Sequence, residues 1–209
     1  MICPHCLVGI KLETRGIQVG EDNEWNWIVR HGICPECNAS ILYLHRLYRT
    51  TGVSSVVSMI NPKGVSRARI PAEVPADIAE DFKEACLVLR DSPKASAALS
   101  RRCLQHLLRT AGGVKPRDLS AEIEQVMPKL PGDLAGALDA IRHIGNFATH
   151  PIKSTSTGEI VPVDPEEAEW QLDTLEQLFE YYFVRPAKLK AQREALNKKL
   201  IDAGKPPLK

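Results

Sequence analysis

Apolar residues recur along this 209-residue chain with two different periods, and the period changes near residue 75. Up to about residue 60 the pattern is strand-like. The stretch ILYLHRLYR (41–49) is rich in residues that favour strands, and VSSVVSMI (53–60) repeats that character. The segment that follows, NPKGVSRARIPAEVP (61–75), holds three prolines and a glycine and reads as a linker. From Pro75 onward the period is helical. PADIAEDFKEACLVLRD (75–91) puts Ile78, Phe82, Ala85, Cys86 and Leu89 on one face. SPKASAALSRRCLQHLLRTAGG (92–113) has a serine cap, proline in its first turn and glycines at its end.

Three further helices are predicted. DLSAEIEQVM (118–127) is short and ends before Pro128. PGDLAGALDAIRHIGNFATH (131–150) should stop near Pro151, because a residue before proline is pushed out of the helical region. After the polar loop KSTSTGEIVPV, the stretch DPEEAEWQLDTLEQLFEYYF (164–183) opens with an aspartate cap, proline in the first turn and acids near the positive end of the helix dipole. Pro186 is expected to break or kink it. The expected fold class is therefore α+β: a small β unit over 1–60, the linker 61–75, an all-α bundle over 76–185, and a basic tail over 186–209, helical or disordered.

Composition changes little, with 44% apolar and 25% charged residues. The formal net charge of +1 argues against a wholly basic nucleic-acid coat, but it hides an asymmetry. From Arg185 to Lys209 there are eight Lys/Arg and two Asp/Glu, so a basic end follows a more acidic body and can serve as a contact arm. The opening MICPHC has neither the basic flank nor the long apolar run of a signal peptide. No segment approaches the roughly 20 apolar residues of a membrane span. The expected location is the cytoplasm, away from membranes, where thiols stay reduced.

Under those conditions cysteines read first as ligands or core residues. CPHC (3–6) and CPEC (34–37) are two Cys-x-x-Cys turns with 27 residues between them. A four-coordinate zinc takes thiolates at about 2.3 Å, and a tight turn lets two cysteines three apart reach one metal. Cys3, Cys6, Cys34 and Cys37 are thus the predicted ligands of a structural Zn²⁺ in a zinc ribbon, with two disulfides or two redox pairs as the alternative. Four thiolates leave no open position for catalysis at the metal. Gly9 and Asn38, just beyond the pairs, suit unusual backbone angles. His5 and His31 are surplus to the ligand set, and Cys86 and Cys103 fall on apolar helix faces as small core residues. Trp25, Trp27, Arg30 and His31 are candidates for stacking on bases and touching phosphate, or for building the ribbon's small core.

On the fourth helix, Arg142, Asn146 and His150 recur every four residues. They lie about 40° apart in turn and span roughly 12 Å, away from a stripe of Leu134, Leu138, Ile141, Gly145 and Ala148. This row is either a polar groove or an ordinary seam. In the seam reading Arg142 pairs with an acid such as Glu169 or Asp173, Asn146 bonds across helices and His150 caps carbonyls. On the second helix, Arg101 and His106 lie about 140° apart on an ideal helix. Arg102 and His106, four apart, make the better candidate for a second wall of a binding groove.

The run SRRCLQHLLRTAGG through LDAIRHIGNFATHP to EEAEWQLDTLEQLFEYYF resembles a bacterial family of unknown function in the HEPN superfamily, whose helical domain is also fused to type I restriction enzyme subunits. The resemblance covers about residues 75–195, and Arg142, Gly145, Asn146 and His150 are its most specific part. It implies a HEPN-like helical bundle that usually forms a homodimer and takes part in toxin, CRISPR or anti-phage systems. Possible partners are RNA or DNA and the proteins of a restriction or defence complex. Many members are metal-independent endoribonucleases. In that chemistry His150 would act as general base on an RNA 2′-hydroxyl and Arg142 would stabilise the phosphorane. Asn146 would orient phosphate or histidine, leaving a 2′,3′-cyclic phosphate. The superfamily's hallmark has four to six residues between arginine and histidine. Here seven separate Arg142 from His150, and Gln105 stands where an acid is usual. The leading expectation is accordingly a zinc-ribbon, nucleic-acid-associated or defence-complex module that binds without turnover. A metal-independent ribonuclease and a dimeric structural adaptor are the alternatives.

Overall fold

The computed structural model describes residues 1, 3–6, 8–63, 67, 69–144 and 163–208. The chain divides into two compact units, Met1–Arg69 and Ile70–Lys209, and its class is α+β.

In the first unit four strands, β1 (Arg15–Glu21), β2 (Trp25–Ile33), β3 (Ser40–Tyr48) and β4 (Ser54–Asn61), form an antiparallel meander in the order β1-β2-β3-β4. The last two correspond to the apolar runs of the sequence. β1, RGIQVGE, carries two glycines and is exposed throughout, so propensity alone does not specify it. It is held by pairing with β2, from Arg15 opposite His31 to Glu21 opposite Asn26. The turn between them is closed by Asp22, whose Oδ1 accepts the Glu24 and Trp25 N–H groups at 3.0 and 2.8 Å. The buried core of this unit is small: Cys3, Ile10, Cys34 and Ile41, with Cys6, Leu12 and Tyr43 against it. Gly32 is required there, since a Cβ would lie 2.7 Å from the Glu13 carbonyl oxygen.

The second unit contains α1 (Ala76–Val88), α2 (Pro93–Ala111), α3 (Leu119–Val126), α4 (Gly132–Ile144), α5 (Pro165–Phe179) and α6 (Arg185–Asp202). The predicted helix starts are met by their caps. Ser92 Oγ accepts the Ala95 N–H at 3.2 Å, and Asp118 Oδ1 accepts the Ala121 N–H at 3.0 Å. Glu167 reaches back to the Asp164 N–H at 3.2 Å, as in a capping box. Replacing Ser92 with alanine should lower the stability of this unit by about 1 kcal/mol, read as a shifted urea midpoint with an unchanged slope.

The core joins Ile78, Phe82 and Ala85 of α1 to Leu104, Leu107 and Leu108 of α2, Ile123 of α3, Leu138 and Ile141 of α4, and Leu172, Leu175 and Phe179 of α5. Phe82 and Phe179 meet edge to face at 5.2 Å. Cys86 and Cys103 are buried among them, and burial, with the nearby Asp81 carboxylate, pushes the Cys103 thiol up. Leu134, Leu138 and Ile141 bury the stripe expected of α4, while Gly145 and Ala148 lie outside the described residues.

Pro186 neither ends nor breaks the last helical stretch. Glu180–Val184 instead takes a wider π turn, in which the Arg185 N–H donates to the Glu180 carbonyl five residues back. Proline cannot donate in a helix interior and clashes with the carbonyl four residues earlier. Changing register just ahead of it lets Pro186 fall in the first turn of α6, where neither problem arises. Among the described residues no helix is long and apolar enough to cross a membrane.

Candidate functional site: a four-cysteine cluster, a sheet face and a helical cleft

Three places carry chemistry. The first is the cysteine cluster. Each Cys-x-x-Cys turn is closed the same way: the Cys3 N–H donates to the Val8 carbonyl at 2.9 Å, and the Cys34 N–H to that of Ala39 at 3.0 Å. Asn38 takes the left-handed conformation, φ 57°, in the second turn. Gly9, expected to need such an angle, does not adopt a positive φ. The four sulfur ligand atoms lie within 4.8 Å of one another. Cys3 and Cys37 are 3.8 Å apart, and Cys6 and Cys34 are 3.9 Å apart. A tetrahedron with 2.3 Å metal–sulfur bonds has edges of about 3.8 Å, so the donor set fits a tetrahedral ion. A disulfide needs about 2.05 Å, and all six cysteines are free thiols.

Electrostatics favours a cation at the centre. Burial disfavours the Cys3 thiolate, but the N–H groups of Cys6 and His5 and the neighbouring thiols outweigh it and bring Cys3 down to about 6. Against that charge the others resist ionising. The Ala39 N–H favours the Cys37 thiolate, yet burial and the other three sulfurs push Cys37 up to about 12. The four cysteines can therefore hold a metal ion, which would let all four ionise together. His5 turns its Nε2 to the Ser40 carbonyl at 3.0 Å and is not a ligand.

The second place is one face of the sheet. Residues paired across an antiparallel ladder project to the same side. Trp25, Trp27, Val29 and His31 of β2 therefore share a face with Tyr48, Arg46, Leu44 and Leu42 of β3, and with Arg15 and Ile17 of β1. The Arg46 guanidinium lies 4.2 Å from the Trp25 ring centroid, and Trp25 meets Tyr48 edge on at 4.9 Å. The Trp27 indole N–H donates to Asp22 Oδ2 at 2.8 Å, which, with the Glu24 and Trp25 N–H groups, holds the Asp22 carboxyl below its usual range. This face is open at the β1 side, where Ile17 is 67% exposed. Arg30, grouped with the tryptophans from sequence, is a correction: it pairs with Gly16 and Tyr43, so it lies on the opposite face. There it donates to Thr14 Oγ1 and, with burial as the larger effect, lowers His45. Its place beside the tryptophans belongs to Arg46, which strand parity reveals only once the register is known.

The third place is a cleft of about 470 Å³ between α1 and α2. Asp77, Glu80, Asp81 and Glu84 line one wall, and Arg102, Gln105, His106 and Arg109 the other. Arg102 Nη2 meets Asp81 Oδ1 at 2.8 Å, with the guanidinium largely exposed and the carboxylate only 6% exposed. His106 stands between two carboxylates, Nε2 3.1 Å from Asp77 and Nδ1 3.4 Å from Asp81. Arg109 reaches past the cleft to the fully buried Glu122 at 2.7 Å. Arg102 and His106 are thus brought together, whereas Arg101 points away and donates to the Ile141 carbonyl of α4 at 3.4 Å. The four acids were legible as a helical repeat, 77, 80/81 and 84, but nothing in the sequence sets that face against α2.

Arg142 forms ion pairs with Glu124 of α3 and, at 2.8 Å, with Asp139 of its own helix. Asn146 and His150 lie outside the described residues.

The family profile of a domain of unknown function, DUF4145, matches residues 83–199. The chain belongs to the DUF4145 family. No curated protein and no solved structure matches it. The DUF4145 match begins inside α1 and ends inside α6, so it takes in Arg102, His106 and Arg142. The cysteine cluster and the carboxylates of Asp77 and Asp81 fall outside the DUF4145 segment.

Proposed function

We propose that the protein is a binding module that takes up single-stranded nucleic acid on its ribbon sheet without turning it over. A structural zinc ion on Cys3, Cys6, Cys34 and Cys37 would fix the sheet, and the helical unit is read as HEPN-like. The observation that carries this reading is the Arg46–Trp25 stack at 4.2 Å, on a face that also holds Trp27, Tyr48, Arg15 and His31. Every base has a π face, so the half-buried rings of Trp25, Trp27 and Tyr48 would accept bases regardless of sequence, while flanking guanidinium groups meet the phosphates. Zinc suits a closed set of four thiolates with sulfur spacings of 3.8 and 3.9 Å, and such a set supports the fold and leaves no position for substrate.

Titrating a fluorescent single-stranded RNA of uniform sequence with the full chain tests this. Affinity should fall linearly on a log–log plot against salt, with a slope of about −0.7 per phosphate contacted. Trp25→Ala should weaken binding by roughly 5- to 150-fold, the loss of one base stack of about 1–3 kcal/mol. Arg15→Ala, on the exposed edge strand, should weaken it less and flatten the salt slope by about one contact. Salt-independent binding, or a Trp25→Ala protein that is folded and binds normally, would refute the proposal. The RNA should come through the titration intact. Cutting in magnesium-free buffer that His150→Ala abolishes would make the protein a metal-independent endoribonuclease instead.

A further inference from the structure

The C-terminal helix and the α1–α2 cleft carry opposite net charge. Residues 70–184 contain eleven Lys/Arg and nineteen Asp/Glu, whereas 185–209 contain eight and two. None of α6 is buried, although it has eighteen residues. Leu189, Leu196 and Leu200 fall within about 40° around its axis, with Lys188 and Lys199 on one side of that stripe and Lys190 on the other. Leu189 and Leu196 are exposed. The helix therefore presents lysines on both flanks of its exposed leucines, with nothing in its own chain covering that face among the described residues.

The cleft offers charge opposite to those lysines. Its inner charges are matched internally: Asp81 by Arg102, Asp77 by His106 and Arg109 by Glu122. Glu80 and Glu84, one turn apart on α1, line the rim and have no ion pair among the described residues. Phe179, at the end of α5, packs on Phe82 in the core, and Phe183 of the π turn follows at 6.4 Å, so the stretch leading into α6 is anchored to the bundle. An arm and a receptor carried by the same chain suit a two-fold interface, in which each copy gives the same element and receives it.

We propose that α6 is an exchange arm: in a dimer, each copy's α6 lies along the α1–α2 cleft of the other, its lysines facing Glu80 and Glu84. Neither Lys190 nor Lys199 has a partner among the described residues, so the arm's charge is available. The dimer goes beyond the nucleic-acid reading and does not depend on it.

Light scattering on the metal-loaded full chain, at low and at high salt, tests this. The wild type should be dimeric at low salt and shift toward monomer as salt rises. Lys190→Glu with Lys199→Glu should weaken the dimer by about tenfold or more, and Glu80→Lys with Glu84→Lys should do the same. Mixing the two variant proteins should restore a dimer, because each then offers an arm opposite in charge to the other's cleft. All four substitutions lie on exposed positions, and circular dichroism reports whether each variant is folded. A wild type monomeric at all salt concentrations would overturn the proposal. So would a dimer indifferent to both charge reversals, or a mixture that fails to re-form it. Lysine substitutions that abolish RNA binding but leave the mass unchanged would assign α6 to nucleic acid instead.

Discussion

Stripping the metal with an excess of a strong chelator should unfold Met1–Arg69 and leave the helical unit Ile70–Lys209 folded. Among the described residues the first unit buries little besides Cys3, Ile10, Cys34 and Ile41, and two of those four belong to the cysteine cluster. A core that small does not offset the conformational entropy of ordering a four-stranded sheet. Binding of a structural zinc supplies about 10–16 kcal/mol in comparable small domains, and that binding energy is folding energy. The pull-down of Cys3 and push-up of Cys37 point the same way: without a central cation the sulfurs cannot all ionise, and the cluster loses its reason to close. Limited proteolysis with mass spectrometry should show cuts confined to the first unit, and circular dichroism should lose strand signal while keeping helix. Cys34→Ser should reproduce the effect without chelator. A first unit that resists protease equally with and without metal would show that the thiols merely sit together.

The second large effect is expected at Arg109. Its guanidinium holds Glu122, which is completely buried, through contacts of 2.8 Å from Nε and 2.7 Å from Nη2. The same carboxylate oxygen accepts the Arg117 N–H at 2.7 Å, which ties the loop before α3 to the end of α2. Removing one partner of a buried pair costs about 3–5 kcal/mol, because the other charge is left in a medium that cannot solvate it. Arg109→Met should therefore destabilise the helical unit by about that much, seen as a lower urea midpoint. Glu122→Gln should cost less, since the amide oxygen can still accept from Arg109 and from Arg117. The double variant should cost less than the sum of the two single changes, because the pair acts as one unit. An Arg109→Met protein as stable as wild type would mean that Glu122 is solvated in solution.

The sequence by itself determined the parts in which a residue's role depends on its near neighbours in the chain. Two Cys-x-x-Cys turns announce by spacing that their four thiols can share one ion. Ser92–Pro93, Asp118 and Asp164–Pro165 mark helix starts because capping is settled within one turn. The buried faces of α1 and α4 follow from period alone. Tertiary structure decided the rest. Periodicity gives the angle of Asp81 or His106 about its own helix axis, but not which helix stands opposite. The Asp77–His106–Asp81 arrangement and the burial of Glu122 therefore appear only when α1, α2 and α3 pack. In the sheet, alternation along β2 sets Arg30 on the face opposite the tryptophans once the strand is known, but only the β2–β3 register brings Arg46 to Trp25. β1 has no signal of its own, since it exists only as a partner for β2.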